Sequence, residues 1–179
     1  MFLQALRIEN FRAIRKTFIH FDEGTALIGE NDCGISSVLD ALELALGTEN
    51  EPLVERHQFH HESGSDKPHG PIGLQLRFRE RKPGEWGSET YAPFYALLPR
   101  NSNRPRELWY EIRIHPGQGD DSRAEFRLRS PGSKEKSSDV ALIGLLRQLN
   151  PVVRLSAGML TGHGQHAVDA GSEAPDLSS

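Results

Sequence analysis

The stretch Leu27–Leu44, LIGENDCGISSVLDALEL, constrains this chain more than any other. Its centre, Gly29-Glu30-Asn31-Asp32-Cys33-Gly34-Ile35-Ser36-Ser37, separates two apolar runs of different period. Phe18 to Ile28 reads as a strand broken by a turn at Asp22-Glu23-Gly24. Ser36 to Leu46 places Val38, Leu39, Leu42 and Leu46 on one face of a helix. Strand, glycine loop and helix form the context that a phosphate-binding loop requires, and Gly29, Gly34 and Ser36 fit the template G-x-x-x-x-G-K-[ST]. The glycines let the backbone curl so that successive N–H groups point inward, and the helix N-terminus adds further donors and the positive end of its dipole. Ser36 stands where a hydroxyl ligates Mg²⁺. Ile35 occupies the lysine position, so the loop has the shape of a nucleotide site without its central charge.

The missing charge can be weighed. A lysine ammonium ~4 Å from a phosphate gains roughly 4 kcal/mol at an effective dielectric of ~20, before desolvation is subtracted. A net ~1.5–3 kcal/mol, typical of a charged hydrogen bond, weakens binding by about ten- to a hundredfold when lost. Transition-state charge loses more, because phosphoryl transfer is catalysed mainly by positioning and electrostatics. The backbone donors remain, so the expectation is weak binding of ATP and Mg²⁺.

Around this loop the chain is an ordinary globular sequence of 179 residues with a formal net charge of −4, which gives no overall signature of nucleic-acid binding. Its cations nonetheless cluster at Arg77, Arg79, Arg81 and Lys82, and again at Arg100, Arg104 and Arg106. A solvated strand face explains them as well as a DNA track does. The single cysteine, Cys33, excludes an internal disulfide and fits a reducing cytoplasm. It lies inside the glycine loop, where a small variable residue is the simpler reading than a redox sensor. No apolar run approaches the ~20 residues of a membrane span, and no signal peptide opens the chain, so a cytoplasmic location is expected.

Taken in order, Leu6, Ile8 and Phe11 suggest a half-buried first strand, Asn10-Phe11-Arg12 turns, and Lys16 to Phe21 returns. The sequence "LRIENFRAI", a second strand and "LIGENDCG" followed by a helix resemble the N-terminus of RecF/SMC-type ABC ATPases. Within them the chain looks most similar to the OLD (overcoming lysogenization defect) family of ATP-dependent endonucleases, in which an ABC ATPase domain precedes a Toprim nuclease domain. The resemblance is strong over Leu6–Gly47 and weaker through Leu160. It implies an ATPase N-terminal lobe over residues 1–160, a flexible insertion at 48–71, and a flexible tail at 161–179. It also implies that Gly29, Asn31, Gly34, Ser36 and Ser37 hold phosphate and Mg²⁺, with Glu30, Asp32 and Cys33 completing the loop. Arg12, in the "NFR" element, would lie near the nucleotide, although a solvated turn arginine is an equal reading. Gln58 would be the counterpart of the ABC glutamine that reaches Mg²⁺. The family implies dimerisation through ATPase domains, DNA as the substrate of the full assembly, roles in DNA repair or phage defence, and no membrane.

Between residues 48 and 71 the chain is polar and rich in Gly, Pro and His, with His57, His60 and His61 beside Glu62. His57 and His61 have i, i+4 spacing, but the composition opposes a helix, so a metal site is not expected there. Gly73 to Arg79, Leu108 to His115 and Glu125 to Arg129 alternate apolar and polar residues, which predicts an antiparallel meander buried on one side. Tyr91 to Leu98 is apolar without a clear period. Asp139 can cap a helix through Leu149, stopped by Asn150-Pro151, and Val152 to Leu155 reads as a short strand.

No apolar run ends in a paired Asp-Glu, no SGG-like signature segment occurs, and no Toprim constellation is present. No catalytic residue is therefore assigned in this chain. The fold expected is α/β with α+β character: a phosphate-loop strand–helix unit beside an antiparallel meander. Two functions follow. One is the nucleotide-binding lobe of an OLD-like ATP-dependent DNA endonuclease, hydrolysis-deficient in this chain. The other is a degenerate, non-catalytic phosphate-loop module that binds a partner protein.

Overall fold

The computed structural model describes residues 1–30, 34–47, 54–62, 64–65, 67–99, 104–117 and 121–152. Six strands form one antiparallel sheet: β1 (Phe2–Phe11), β2 (Ile14–His20), β3 (Ile72–Arg79), β4 (Glu107–Pro116), β5 (Ser122–Arg129) and β6 (Lys136–Ser137), in the spatial order β2-β1-β3-β4-β5-β6. Helix α1 (Ile35–Leu46) and helix α2 (Val140–Leu149) cover one face. The architecture is mixed α+β, as the strand alternation and the single helix-forming run after the glycine loop imply.

Alternation decides which way the sheet faces. In β3 Ile72, Leu74, Leu76 and Phe78 are buried, and their register partners on β4 are Ile114, Ile112, Tyr110 and Leu108. Leu6 and Ile8 of β1 pair with Leu76 and Leu74, which extends the apolar layer across a third strand. Val38, Ala41, Ala45 and Leu46 of α1 and Ile143 and Leu146 of α2 pack into the same core. The buried stripe of α1 thus runs through small residues, Ser37 and the two alanines, and Leu39 is 41% exposed rather than buried. Small side chains let a helix backbone approach a sheet more closely than a leucine ridge does, which rotates the helix away from the face its leucines alone suggest.

A buried arginine ties these layers together. Arg147 of α2 donates from Nε to the Ala45 carbonyl (3.2 Å) and from Nη2 to the Tyr110 hydroxyl (3.0 Å). It thereby places a cation against a carbonyl of the last turn of α1, the end where the helix dipole is negative. Burial, partly opposed by Arg147, pushes the Tyr110 phenol up to about 12.

The expected strand before the glycine loop is not formed as the sequence suggests. β2 ends at His20, and residues 25–30 adopt no strand. Ile28 is 93% exposed. An extended segment becomes a strand only when a neighbour takes its N–H and C=O groups, and no described strand pairs with Thr25–Ile28. The apolar stretch near Tyr91 resolves as a 3₁₀ helix, Glu89–Phe94, which buries Phe94 and sets the Tyr91 ring 6.0 Å from that of buried Trp86. Within the polar insertion Val54 and Phe59 are buried in the core, and Phe59 bridges to Phe11. Asp139 caps α2 as its position implies, accepting from Ala141 N at 2.8 Å. The strand expected after Val152 and the tail lie outside the described residues. No described helix is long and apolar enough to cross a membrane.

Candidate functional site

The glycine loop ends at Gly34, whose backbone is left-handed (φ 95°, ψ 6°) as the residue before α1. A side chain there would be strained whatever the space around it, because its Cβ would crowd its own backbone. Gly34 therefore turns the chain sharply into the helix against Ile14 of β2, and a Cβ would sit 3.5 Å from Ile14 Cγ1. Among the described residues no side chain caps α1, and its first turn holds no acidic residue. The leading N–H groups and the helix dipole favour an anionic acceptor there.

Ser36 is exposed at this end of the helix, while Ser37 is turned into the core. Gly29 and Glu30 are exposed. Ile35 lines a cavity of about 640 Å³ together with Gly29, Gly34, Ile28, Ala13 and the β2 residues Ile14, Arg15, Lys16 and Thr17. Its apolar side chain thus stands where a phosphate-contacting lysine would be useful. Asn31, Asp32 and Cys33 lie outside the described residues.

Arg12 is brought to α1. Its backbone is left-handed (φ 49°), in the tight connection between β1 and β2, and its N–H donates to the Gln58 carbonyl at 2.8 Å. The His60 ring donates from Nδ1 to the Arg12 carbonyl at 2.8 Å. These two contacts hold the arginine from both sides, and its guanidinium forms an ion pair with Asp40 of α1. Arg12 Nε is buried with no hydrogen-bond partner among the described residues. A donor in that condition costs about 1–3 kcal/mol until an acceptor reaches it. Asp40 is the site residue that sequence reasoning missed. Its signal was position alone, the second turn of the helix that follows the loop.

Gln58 lies beside Arg12 through its backbone, but its side-chain oxygen accepts from Glu55 N at 2.9 Å within its own 3₁₀ turn. The nearby histidines are similarly engaged: His57 with Glu55, His69 with Glu62, and His61 with the Arg56 carbonyl. Among the described residues no group of three or more His, Cys, Asp or Glu could hold a metal.

The sequence implies ATP and Mg²⁺ as ligands, and the residues present suit part of that pair. The left-handed Gly34, the first turn of α1 and the exposed Ser36 hydroxyl present polar groups at one end of the helix, and the buried Arg12 Nε has no partner among the described residues. The charge opposite the terminal phosphates is absent at Ile35.

Likenesses to known proteins bear on the fold and the family. A solved chain, from work described as "Structural biochemistry of ATP-driven dimerization and DNA stimulated activation of SMC ATPases", superposes with a TM-score of 0.57 at 19% identity. The match covers 90% of this chain and 89% of that one. The chain therefore shares the fold of that SMC ATPase chain, which bears out the RecF/SMC-like architecture that the sequence implies. A family model described as "Protein of unknown function (DUF2813)" matches residues 1–176, and the chain belongs to that family. Uncharacterized protein YbjD of Escherichia coli (strain K12) is 30% identical over 165 residues, which are 87% of this chain and 29% of YbjD. Chromosome partition protein Smc of Halobacteriovorax marinus is 28% identical over 145 residues, 76% of this chain and 12% of that protein. The chain thus spans a minor part of the length of these relatives.

Proposed function

We propose that this chain is the nucleotide-binding lobe of an ATP-dependent enzyme acting on DNA, of the OLD-like endonuclease kind, in DNA repair or phage defence. The observation that supports this most is the left-handed Gly34 opening a helix that no described side chain caps, with Ser36 exposed at its first turn. In this reading the backbone of Gly29–Gly34 and the N–H groups of Ile35, Ser36 and Ser37 bind the phosphates. Ser36 Oγ ligates Mg²⁺, and Arg12 steadies the nucleotide from the side of β1. Bound Mg²⁺ would neutralise phosphate charge, which is the chemistry the metal supplies. Gln58 joins the metal only if its side chain leaves Glu55.

Binding is weak and hydrolysis is absent in the isolated chain, because Ile35 removes the cation and no apolar run of the chain ends in an Asp-Glu pair to position water. The missing contacts come from a partner: a second copy or another ATPase or nuclease lobe. The related SMC structure is described in terms of ATP-driven dimerization, and a dimer is the assembly proposed here. Ile35 also favours a second reading, a degenerate module that kept the fold as a surface for a partner protein.

Calorimetry with Mg·ATP on this chain and on Ile35→Lys separates the two. The lysine variant should bind about ten- to a hundredfold more tightly, the worth of one charged hydrogen bond. If neither binds at millimolar nucleotide, the phosphate site is abandoned and the partner-module reading replaces it.

A further inference from the structure

The face of the sheet turned away from the helices carries a pattern that the nucleotide reading does not use. Register places Arg77 of β3, Trp109 of β4 and Arg129 of β5 side by side in one row. The Arg77 and Arg129 guanidiniums lie 4.5 Å and 4.4 Å from the centre of the Trp109 ring, and Arg77 also lies 5.2 Å from the Phe18 ring. In the neighbouring rows Arg7, Gln75, Glu111 and Arg127 are successive partners, as are Glu9, Gly73, Arg113 and Glu125. Arg123 pairs with His115 beyond them, and Lys136 ends the tryptophan row.

The carboxylates on this face are largely occupied within it. Glu9 takes Arg7 and Lys16, Glu111 takes Arg129, and Glu125 takes Arg127. Arg79, Arg113 and Arg123 have no ion pair among the described residues, and Arg113 and Arg123 are exposed. A chain of formal net charge −4 thus gathers an excess of cations on one sheet face. Because Gly73 lacks a side chain, a shallow hollow of about 340 Å³ opens among Arg7, Glu9, Arg113 and Arg127.

We propose that this face binds the phosphate backbone of double-stranded DNA without reading its sequence. The proposal deepens the DNA part of the function above, but it rests on the sheet and not on the glycine loop. Charge complementarity selects an anionic partner, and planar guanidiniums match phosphate oxygens. Trp109, flanked by arginines from both neighbouring strands, is not open for a base to stack on, which disfavours single-stranded nucleic acid. It serves instead to hold two guanidiniums in place, so that less side-chain freedom is lost when phosphates bind. An acidic protein would seek an aromatic or aliphatic anchor pocket, and the central ring of this face is already covered. From β2 to β5 the face spans roughly 19 Å at the usual strand spacing, wide enough to meet several phosphates at once.

The test is fluorescence anisotropy of a short mixed-sequence duplex with the full 179-residue chain, without nucleotide, across a salt series. The logarithm of affinity should fall linearly with the logarithm of salt, with a slope of about −4 for four to five phosphates. Arg113→Ala and Arg123→Ala should each lower the magnitude of the slope by about one. Trp109→Ala, which removes no charge, should still weaken binding several-fold, whereas Lys67→Ala, which removes a charge elsewhere, should not. Arg113 and Arg123 are exposed, so their variants keep the test sound if Trp109→Ala does not fold. Absence of salt-dependent duplex binding overturns the proposal, as do equal affinities for wild type and the Arg113 and Arg123 variants. Tighter binding to a single strand overturns the duplex assignment. Equal binding to polyglutamate overturns it in favour of an acidic protein partner. None of these outcomes changes what calorimetry reports for Mg·ATP.

Discussion

Replacing Arg106 with methionine strands a carboxylate inside the protein, and the consequence can be worked through. Glu80 follows β3, is 1% exposed, and accepts from Trp86 N (2.8 Å), Arg106 N (2.7 Å), Arg106 Nε (2.9 Å) and Arg106 Nη2 (2.7 Å). Burial alone would push this carboxyl up. The Arg106 side chain, then the backbone N–H groups of Arg106 and Trp86, outweigh burial and hold it below the usual glutamate value. Arg106→Met keeps the stem and removes the charge and two of those donors. Breaking a buried pair from one side costs about 3–5 kcal/mol, and the 16% exposure of the arginine side chain argues for about 3. With a urea dependence of about 2 kcal/mol per molar, the unfolding midpoint should fall by about 1.5 M.

The pH dependence gives a second reading of the same pair. In the wild type the unfolded chain takes up the Glu80 proton first, so the pair's contribution is complete above the unfolded pKa. It is lost as pH falls through the lower folded value. In the variant, burial without the guanidinium should raise the folded value above the unfolded one, so acid relieves the stranded charge. The gap between the two proteins should therefore narrow as pH is lowered from about 7 to about 4. A loss below about 1 kcal/mol, or a gap that does not change with pH, would refute the reasoning, because a buried pair cannot behave as a solvated one.

Two further changes have defined outcomes. Gly34→Ala should cost about 1–2 kcal/mol in thermal or urea unfolding through its left-handed backbone, since the space beyond its Cβ is adequate. It should also weaken any nucleotide binding, because the turn into α1 is disturbed. Asp139→Ala should cost about 1 kcal/mol in urea unfolding, because its carboxylate is the acceptor for Ala141 N at the start of α2.

The sequence made the helix after the glycine loop and the alternating strands readable, because each follows from a local period. β3 and β4 show this well: every second side chain of Leu74–Phe78 and Leu108–Ile114 enters the core. The cap at Asp139 was readable for the same reason. What escaped depended on partners distant in the chain. Thr25–Ile28 has strand-like composition but no strand to pair with among the described residues, and composition cannot supply the other half of a ladder. Leu39 fits a helical stripe, but Ala41 and Ala45 allow the closer approach that turns it outward. Of the site, Gly34 and Ser36 were visible in the motif spacing. The Arg12–Asp40 pair, joining residues from separate elements, was not. The arginine clusters were visible as well, but only register showed Arg77 and Arg129 standing on either side of Trp109.

The most direct test of the central claim, that the glycine loop binds nucleotide phosphate, is an amide NMR titration of the chain with Mg·ATP. The largest shifts should fall on Gly29, Gly34, Ile35, Ser36 and Ser37, with a smaller change at Arg12, and the outer face of the sheet should stay unperturbed. Shifts confined to the arginine rows, with the loop amides unmoved at millimolar nucleotide, would contradict it.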